Sequence, residues 1–335
     1  MKQIMLQAEG GLDALRLEDV ATAPDPGPGQ VRIRVHASSL NFHDYLVASI
    51  PGFLSTPRIP MSDGAGVVEA VGEGVSEFAV GDSVVSHFFP GWIDGPDGPS
   101  NFSTTPGDGV DGYARELVTV PAFWVTRSPA GWSHEEAATI TTAGVTAWRA
   151  LVVNGGLRAG DTVAVLGTGG VSIYALQLAK AMGARVIATS SSDEKLERVK
   201  ELGADAVINY RSNENWGAEI RRLTDGRGAD HVVEVGGPAT LAQSITAARD
   251  NGHIALIGVL TGMGGEVPTA QLMAQQQRLQ GLIVGSRRHQ EDFVVALEAT
   301  GIRPVIDRSF PLDDLRGAFE FQASGGHFGK IGLTI

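Results

Sequence analysis

From residue 1 to about 120 the apolar positions come in short alternating bursts. Val31-Arg32-Ile33-Arg34-Val35 sets apolar against charged side chains with a period of two, as a half-buried strand does. Gly66-Val67-Val68-Glu69-Ala70-Val71-Gly72 and Ser83-Val84-Val85-Ser86-His87-Phe88 are further strands, with Gly72-Glu73-Gly74 and Val80-Gly81-Asp82 as punctuation. Long helical periods are missing, so this half reads as a rolled β domain. Residues 91–112 break the pattern with Gly, Pro and Asp and read as a surface loop.

Near residue 130 the period changes. Ser133-His134-Glu135-Glu136 looks like a capped, acidic helix start, leading into a helix from Ala137 to Leu151 interrupted around Gly144. Strands are predicted at 161–166, 185–189, 206–210, 231–235 and 253–257. Helices are predicted at 171–182, 193–202, 216–223 and 240–248 between them. This βαβ alternation predicts a parallel sheet with helices on both faces. The tail from Ile302 ends in a strand-like Lys330-Ile331-Gly332-Leu333-Thr334-Ile335, which is expected to return to the first domain.

Composition narrows the function. With 335 residues the chain is long enough for about two domains. The 26 basic and 38 acidic residues give a formal net charge of −12, which disfavours broad phosphate neutralisation and hence nucleic-acid binding. Cysteine is absent, which excludes disulfides, thiol nucleophiles and thiolate metal sites. No apolar run approaches the ~20 residues needed to span a bilayer, and the start lacks a cleavable signal. A cytoplasmic enzyme without membrane or nucleic-acid partners is the expectation.

The 44 glycines include a chemically specific set. Gly167-Thr168-Gly169-Gly170-Val171-Ser172 follows a strand and opens a helix, reading G-x-G-x-x-S. Gly167 permits the tight turn, Gly169 lets backbone approach a pyrophosphate, and the helix amides hold the diphosphate. Where an NAD site usually places an acid, at the end of the second strand, the chain has Thr189-Ser190-Ser191-Ser192, with Lys195 one turn on. Ser190, Ser191 and Lys195 suit a 2′-phosphate, and Tyr210 and Arg211 add a contact at the adenosine end. NADPH is therefore preferred over NADH, the alternative being that Ser192 only caps a helix. Gly236, Gly258 and Val259 fall at the carboxyl edge of the sheet, where cofactors sit.

These features resemble the medium-chain dehydrogenase/reductase superfamily, in particular its zinc-independent quinone-oxidoreductase-like branch. The resemblance spans essentially the whole chain. It is carried by Asn41-Phe42-His43-Asp44, Asp63 to Gly72, Gly81-Asp82-Ser83-Val84, Gly144-Val145-Thr146-Ala147-Trp148, the glycine turn and Gly329-Lys330-Ile331. It implies an α/β fold: a Rossmann-type doubly wound parallel sheet plus an N-terminal GroES-like β-barrel domain. The expected division is 1–125 for the GroES-like domain, completed in part by 265–335. The Rossmann domain is expected over 126–264, extending to about 290. Homodimers or homotetramers are also implied.

The resemblance further implies that zinc-ligand positions of the metal-dependent members fall here on Asn41, Ser62-Asp63 and near Ala143, so no metal is expected. It places Asn41, Asp44 and Tyr45 in the catalytic cleft, and Ser62, Asp63 and Thr142 near the lost metal site, with Asn41, Tyr45, Ser62 and Thr142 as candidate donors to a developing oxyanion. Phe88 and Trp92 are expected to shape an aromatic pocket, or else to pack the loop. His43 and His87 are candidate proton carriers, or else packed residues. Thr146 is expected to face the nicotinamide end, and Gly285 and Lys330 to reach the cofactor, the alternative being a turn and a solvated charge. The preferred activity is NADPH-dependent hydride transfer to a small electrophile, a quinone or an activated alkene or enone. Alternatives are a non-catalytic NADPH-binding protein and a zinc-free alcohol/carbonyl or enoyl-thioester oxidoreductase.

Overall fold

A computed structural model of the chain describes residues 1–99 and 101–335; Ser100, part of the 91–112 loop, lies outside the described residues. The chain forms two compact units, one of residues Met1–Val145 with Val284–Ile335 and the other of Thr146–Ile283. The divide falls at 145/146 and 283/284. Residues 126–145 pack within the first unit, and the strand Arg278–Gly281 completes the sheet of the second.

The second unit is built on a six-stranded parallel sheet. Its spatial order is Ala206–Asn209, Arg185–Ser190, Thr162–Leu166, Ala229–Glu234, Ala248–Leu256 and Arg278–Gly281. The strand reversal beside Thr162–Leu166 is the doubly wound arrangement. Thr162–Leu166 and Ala229–Glu234 are buried along their whole length, because helices cover both faces. Helices run at Gly170–Ala181, Asp193–Glu201, Trp216–Leu223 and Pro238–Ala247, close to the predicted positions. Arg278–Gly281 carries no apolar run, which is why the pattern did not announce it.

In the first unit, Gln30–Ser39 pairs antiparallel with Ala65–Val71, Leu117–Pro121 and Lys330–Thr334. The pairing continues from Ala65–Val71 through Ser83–Ser86 to Val125–Arg127, and from Lys330–Thr334 to Ile306–Pro311. This path has two ends. The C-terminal strand returns to the first unit, as its apolar pattern predicted. The long strand needs Gly66 opposite it: a Cβ there would lie 1.9 Å from the Arg34 carbonyl oxygen.

Three helices of this unit, Phe42–Ser49, Arg287–Thr300 and Leu315–Ala323, were not evident from periodicity. The interrupted helix after Ser133 is resolved as His134–Ala138 followed by a π-helical turn at Ile140–Gly144. Parts of the 91–112 loop pack inward: Thr105, Pro106 and Gly107 are buried. Among the described residues, no helix is long and apolar enough to cross a membrane.

Asp230 ties the two central strands of the nucleotide unit together. Its carboxylate accepts from Thr162 N (2.8 Å), twice from the Arg227 guanidinium (2.6 and 2.7 Å) and from Arg249 Nε (2.6 Å). Burial alone would raise its pKa, but these hydrogen bonds and charges outweigh it and hold the carboxyl at about 2. A depressed pKa adds stability above the ordinary aspartate range that is lost as pH falls through the folded value. The shift corresponds to about 2 kcal/mol. Asp230→Asn is therefore expected to lower stability at pH 7 by about that amount. It should also flatten the loss of stability between about pH 4 and pH 2, measured by urea unfolding across that range.

Candidate functional site

The nucleotide turn takes its shape from glycine. Gly167 has φ +70°, and a Cβ on Gly167 or Gly169 would meet no protein atom within 4 Å. The space before the turn is thus open to a ligand. The helix Gly170–Ala181 begins there, and its first backbone amides point out of the turn, since N–H groups in a first helical turn lack intrahelical partners. Thr168 is buried and Val171 half-buried, while the Ser172 hydroxyl donates to Leu166 O at 2.6 Å, locking helix to strand. These features fit a diphosphate.

The adenosine end is mixed. Ser190 is buried, with Oγ accepting from Ser192 N at 3.2 Å; Ser191 and Lys195 are half-buried, and Tyr210 and Arg211 are exposed. Ser192 is the cap of the helix Asp193–Glu201, accepting from Lys195 N. Asp193, the nearby acid, accepts from Asn209 Nδ2 at 2.7 Å.

The remaining cofactor candidates follow structural constraints. Gly258 is forced, since a Cβ would lie 1.7 Å from Val235 O, and Gly236 crowds Thr240. Between them the buried Glu234 carboxylate, which sequence reasoning passed over, organises the loop. It accepts from Gly236 N (2.7 Å), Gly237 N (2.9 Å), Thr240 Oγ1 (2.6 Å) and Ser244 Oγ. Val259 stands exposed beyond it, and Thr146 is buried. Gly285 sits tight against Val145 and His289 in the first unit, at the start of a helix capped by Ser286.

In the first unit the structure gathers Asn41, Asp44, Ser62, Asp63, Thr142 and Lys330 into one polar cluster. Met61, in the left-handed region at φ +79°, turns the chain so that Ser62 N donates to Asp44 Oδ1 at 2.8 Å. Asn41 N and Nδ2 both donate to Asp44 Oδ2 at 3.1 Å, and Nδ2 also faces Ser39 O at 3.3 Å. Asp63 Oδ2 accepts from Ser39 Oγ and Oδ1 from Thr142 Oγ1, each at 2.6 Å. The Lys330 ammonium donates to Leu40 O (2.7 Å) and Asn41 Oδ1 (2.6 Å) and lies 3.5 Å from Asp63 Oδ2.

Lys330 is only 3% exposed, so its charge is neither solvated nor spread along the surface. Burial lowers its pKa, and Asp63 and Asp44 oppose that shift. Burial raises the pKa of Asp44, and Asp63 adds to it.

This geometry revises the donor assignments. The Asn41 amide is committed to Asp44 and Ser39, and the Thr142 hydroxyl donates inward to Asp63. Tyr45 packs its ring near Phe42 and Phe319 at the helical core. Phe88 and Trp92 are buried: Phe88 lies among His43, Phe89 and Phe102, and Trp92 Nε1 donates to Gly95 O. They pack the loop. His43 Nε2 lies 3.2 Å from Asp108 Oδ2. Burial pushes His87 down to about 4, which holds it neutral near pH 7 and removes it as a proton donor there. Ser39, absent from the sequence candidates, carried one signal: it ends the strand face Val31, Ile33, Val35, Ala37 that is otherwise apolar, and the structure buries it fully.

A zinc ion fits this cluster poorly. Both Asp63 oxygens accept hydroxyl protons, the neighbouring positions are an amide and a hydroxyl, and an ammonium already lies against the carboxylate. A divalent cation would compete with Lys330 for the same lone pairs and repel it. Among the described residues, no group of three His, Cys, Asp or Glu is placed to hold a metal.

The chain was compared with known proteins. Residues 27–130 match the alcohol dehydrogenase GroES-like domain and residues 170–300 the zinc-binding dehydrogenase domain. The zinc-type alcohol dehydrogenase-like protein C1773.06c of Schizosaccharomyces pombe is 41% identical, over 97% of this chain and 96% of its own. A solved NAD-dependent alcohol dehydrogenase superposes with a TM-score of 0.90 at 35% identity, covering 100% of both chains. Mycobacterial Rv1454c, solved with NADPH, superposes at 0.82 with 27% identity, covering 100% of this chain and 99% of that one. With the doubly wound sheet, the glycine turn and the GroES-like unit, these likenesses show that the chain belongs to the medium-chain dehydrogenase/reductase superfamily of NAD(P)-dependent oxidoreductases.

Proposed function

We propose that this protein is an NADPH-dependent, zinc-independent reductase of quinones or activated alkenes and enones. The observation that carries this reading is the Lys330–Asp63–Asn41 cluster, in which Asn41 and Asp63 stand at positions that the family resemblance assigns to zinc ligands. Without a Lewis acid to lower the pKa of an alcohol, oxidation of simple alcohols is disfavoured, whereas an electron-poor acceptor asks less of the protein. Bound NADPH supplies the hydride. The glycine turn and the helix amides hold its diphosphate, and Ser190, Ser191, Lys195 and Arg211 favour the 2′-phosphate. Water or a nearby donor completes the reduction, because the amide of Asn41 and the hydroxyl of Thr142 are turned inward. Association into homodimers or homotetramers belongs to the same proposal.

Fluorescence titration should show NADPH binding more tightly than NADH. Lys195→Ala or Arg211→Ala should weaken NADPH by about threefold to tenfold and NADH little, as loss of one exposed phosphate contact implies. Tighter NADH binding in the wild type would overturn the assignment. Gly169→Leu places a side chain in the open space before the helix. It should keep the melting temperature within a few degrees and weaken either nucleotide at least tenfold.

Turnover is read by NADPH consumption against quinones, enones, enoyl thioesters and aldehydes and by NADP+ reduction with alcohols, each with and without a chelator. Quinone or enone reduction indifferent to chelator is expected. Alcohol oxidation abolished by chelator would refute the proposal, and stoichiometric NADPH binding without turnover would favour a non-catalytic role.

A further inference from the structure

Lys330 raises a question that the fold alone does not answer. Burying an ammonium costs several kcal/mol, and an apolar side chain of similar length could fill the space. The cation nonetheless donates to Leu40 O and Asn41 Oδ1 and forms an ion pair with Asp63 Oδ2, 3.5 Å away. It reaches them from the C-terminal strand, 290 residues away in sequence from Leu40.

The consequences can be followed bond by bond. Because Lys330 takes Asn41 Oδ1, the Asn41 amide has one orientation, with Nδ2 on Asp44 Oδ2. Asp44 in turn holds Ser62 N and the N-terminus of the helix Phe42–Ser49. On the other branch, Lys330 and Ser39 flank Asp63 Oδ2, leaving Oδ1 for Thr142. Thr142 is half-exposed, whereas Ser39, Asn41, Asp44, Ser62, Asp63 and Lys330 are all buried. It stands on the π-helical turn Ile140–Gly144, a geometry frequent at functional sites. Its proton goes to a carboxylate that, ionised, only accepts, so the hydroxyl presents lone pairs outward.

We propose that Lys330 is the positioning residue of this site: acting through Asn41 and Asp63, its ammonium locks the 39–44 segment and sets Thr142 as an outward hydrogen-bond acceptor for the O–H of the water that completes the reduction or of a hydroxyl on the bound substrate. The inference rests on the reductase reading for its kinetic consequences but not for its structural ones.

The test uses the full chain with NADPH and the best acceptor from the panel. Lys330→Met keeps the stem and removes the charge. Hydrogen exchange over residues 39–49 should rise at least tenfold, and kcat should fall at least tenfold with KM changed less than threefold. NADPH affinity for the glycine turn should stay within twofold. Lys330→Met combined with Asp63→Asn neutralises both charges and should recover thermal stability without recovering kcat. Full recovery of kcat would reduce Lys330 to charge balance and overturn the proposal, as would unchanged exchange and kcat in folded Lys330→Met.

Thr142 supplies an arm that does not depend on burying a new group. Thr142→Val should lose at least tenfold in kcat/KM, and Thr142→Ser should lose clearly less. Equal values for the two would overturn the acceptor role. Exchange needs no substrate, so a wild type inactive across the panel whose 39–49 segment still responds to Lys330→Met would refute the reductase reading and leave the locking role standing.

Discussion

A buried ammonium must be surrounded by acceptors, and in this protein that requirement organises the GroES-like unit. Lys330 draws together the end of the long strand, the first turn of the following helix, the left-handed turn at Met61 and, through Asp63, the π-helical turn that carries Thr142. Two carboxylates and one ammonium share a space that water does not reach. Each oxygen is met by a defined donor, which is the condition under which buried charge is tolerated. The cluster is closed, and its polarity is spent on fixing backbone and side-chain orientation. That leaves little freedom for a metal.

The nucleotide unit applies the same rule with different groups. Asp230 binds two arginines and a backbone amide to clamp adjacent strands, and Glu234 receives four donors to shape the loop through Gly236 and Gly237. At the glycine turn the opposite condition holds: Gly167 and Gly169 leave space, and the helix start leaves unspent amides. The contrast separates carboxylates that stabilise the sheet from backbone that receives a ligand.

The aromatic residues illustrate how burial redirects an expectation. Phe88 and Phe102 pack against His43 and Phe89, and Trp92 packs against Phe89, which holds the 101–110 segment inward. Gly107 of that segment and Gly112 just beyond it press on the Met61 backbone, so the stretch that reads as a surface loop supports the left-handed turn that orients Ser62. A loop rich in glycine reads as mobile in one dimension, although its glycines serve close approach in three.

By itself the sequence determined the alternation of strand and helix from residue 160 to 257, the glycine turn between its first strand and helix, and the absence of thiolate ligands. Each of these is local: a period, a short glycine spacing or the presence of a residue type. The return of the C-terminal strand was legible for the same reason, as an apolar run. What only the tertiary structure decided was the direction of each polar side chain. Asn41 and Thr142 have the right chemistry for donors, yet their protons point inward because Asp44 and Asp63 lie there. Lys330 could have been a solvated charge or a cofactor contact, and its partners are nearly 300 residues distant. A hydrogen bond depends on which groups share a buried space, and contacts of that sequence separation leave no periodic trace along the chain.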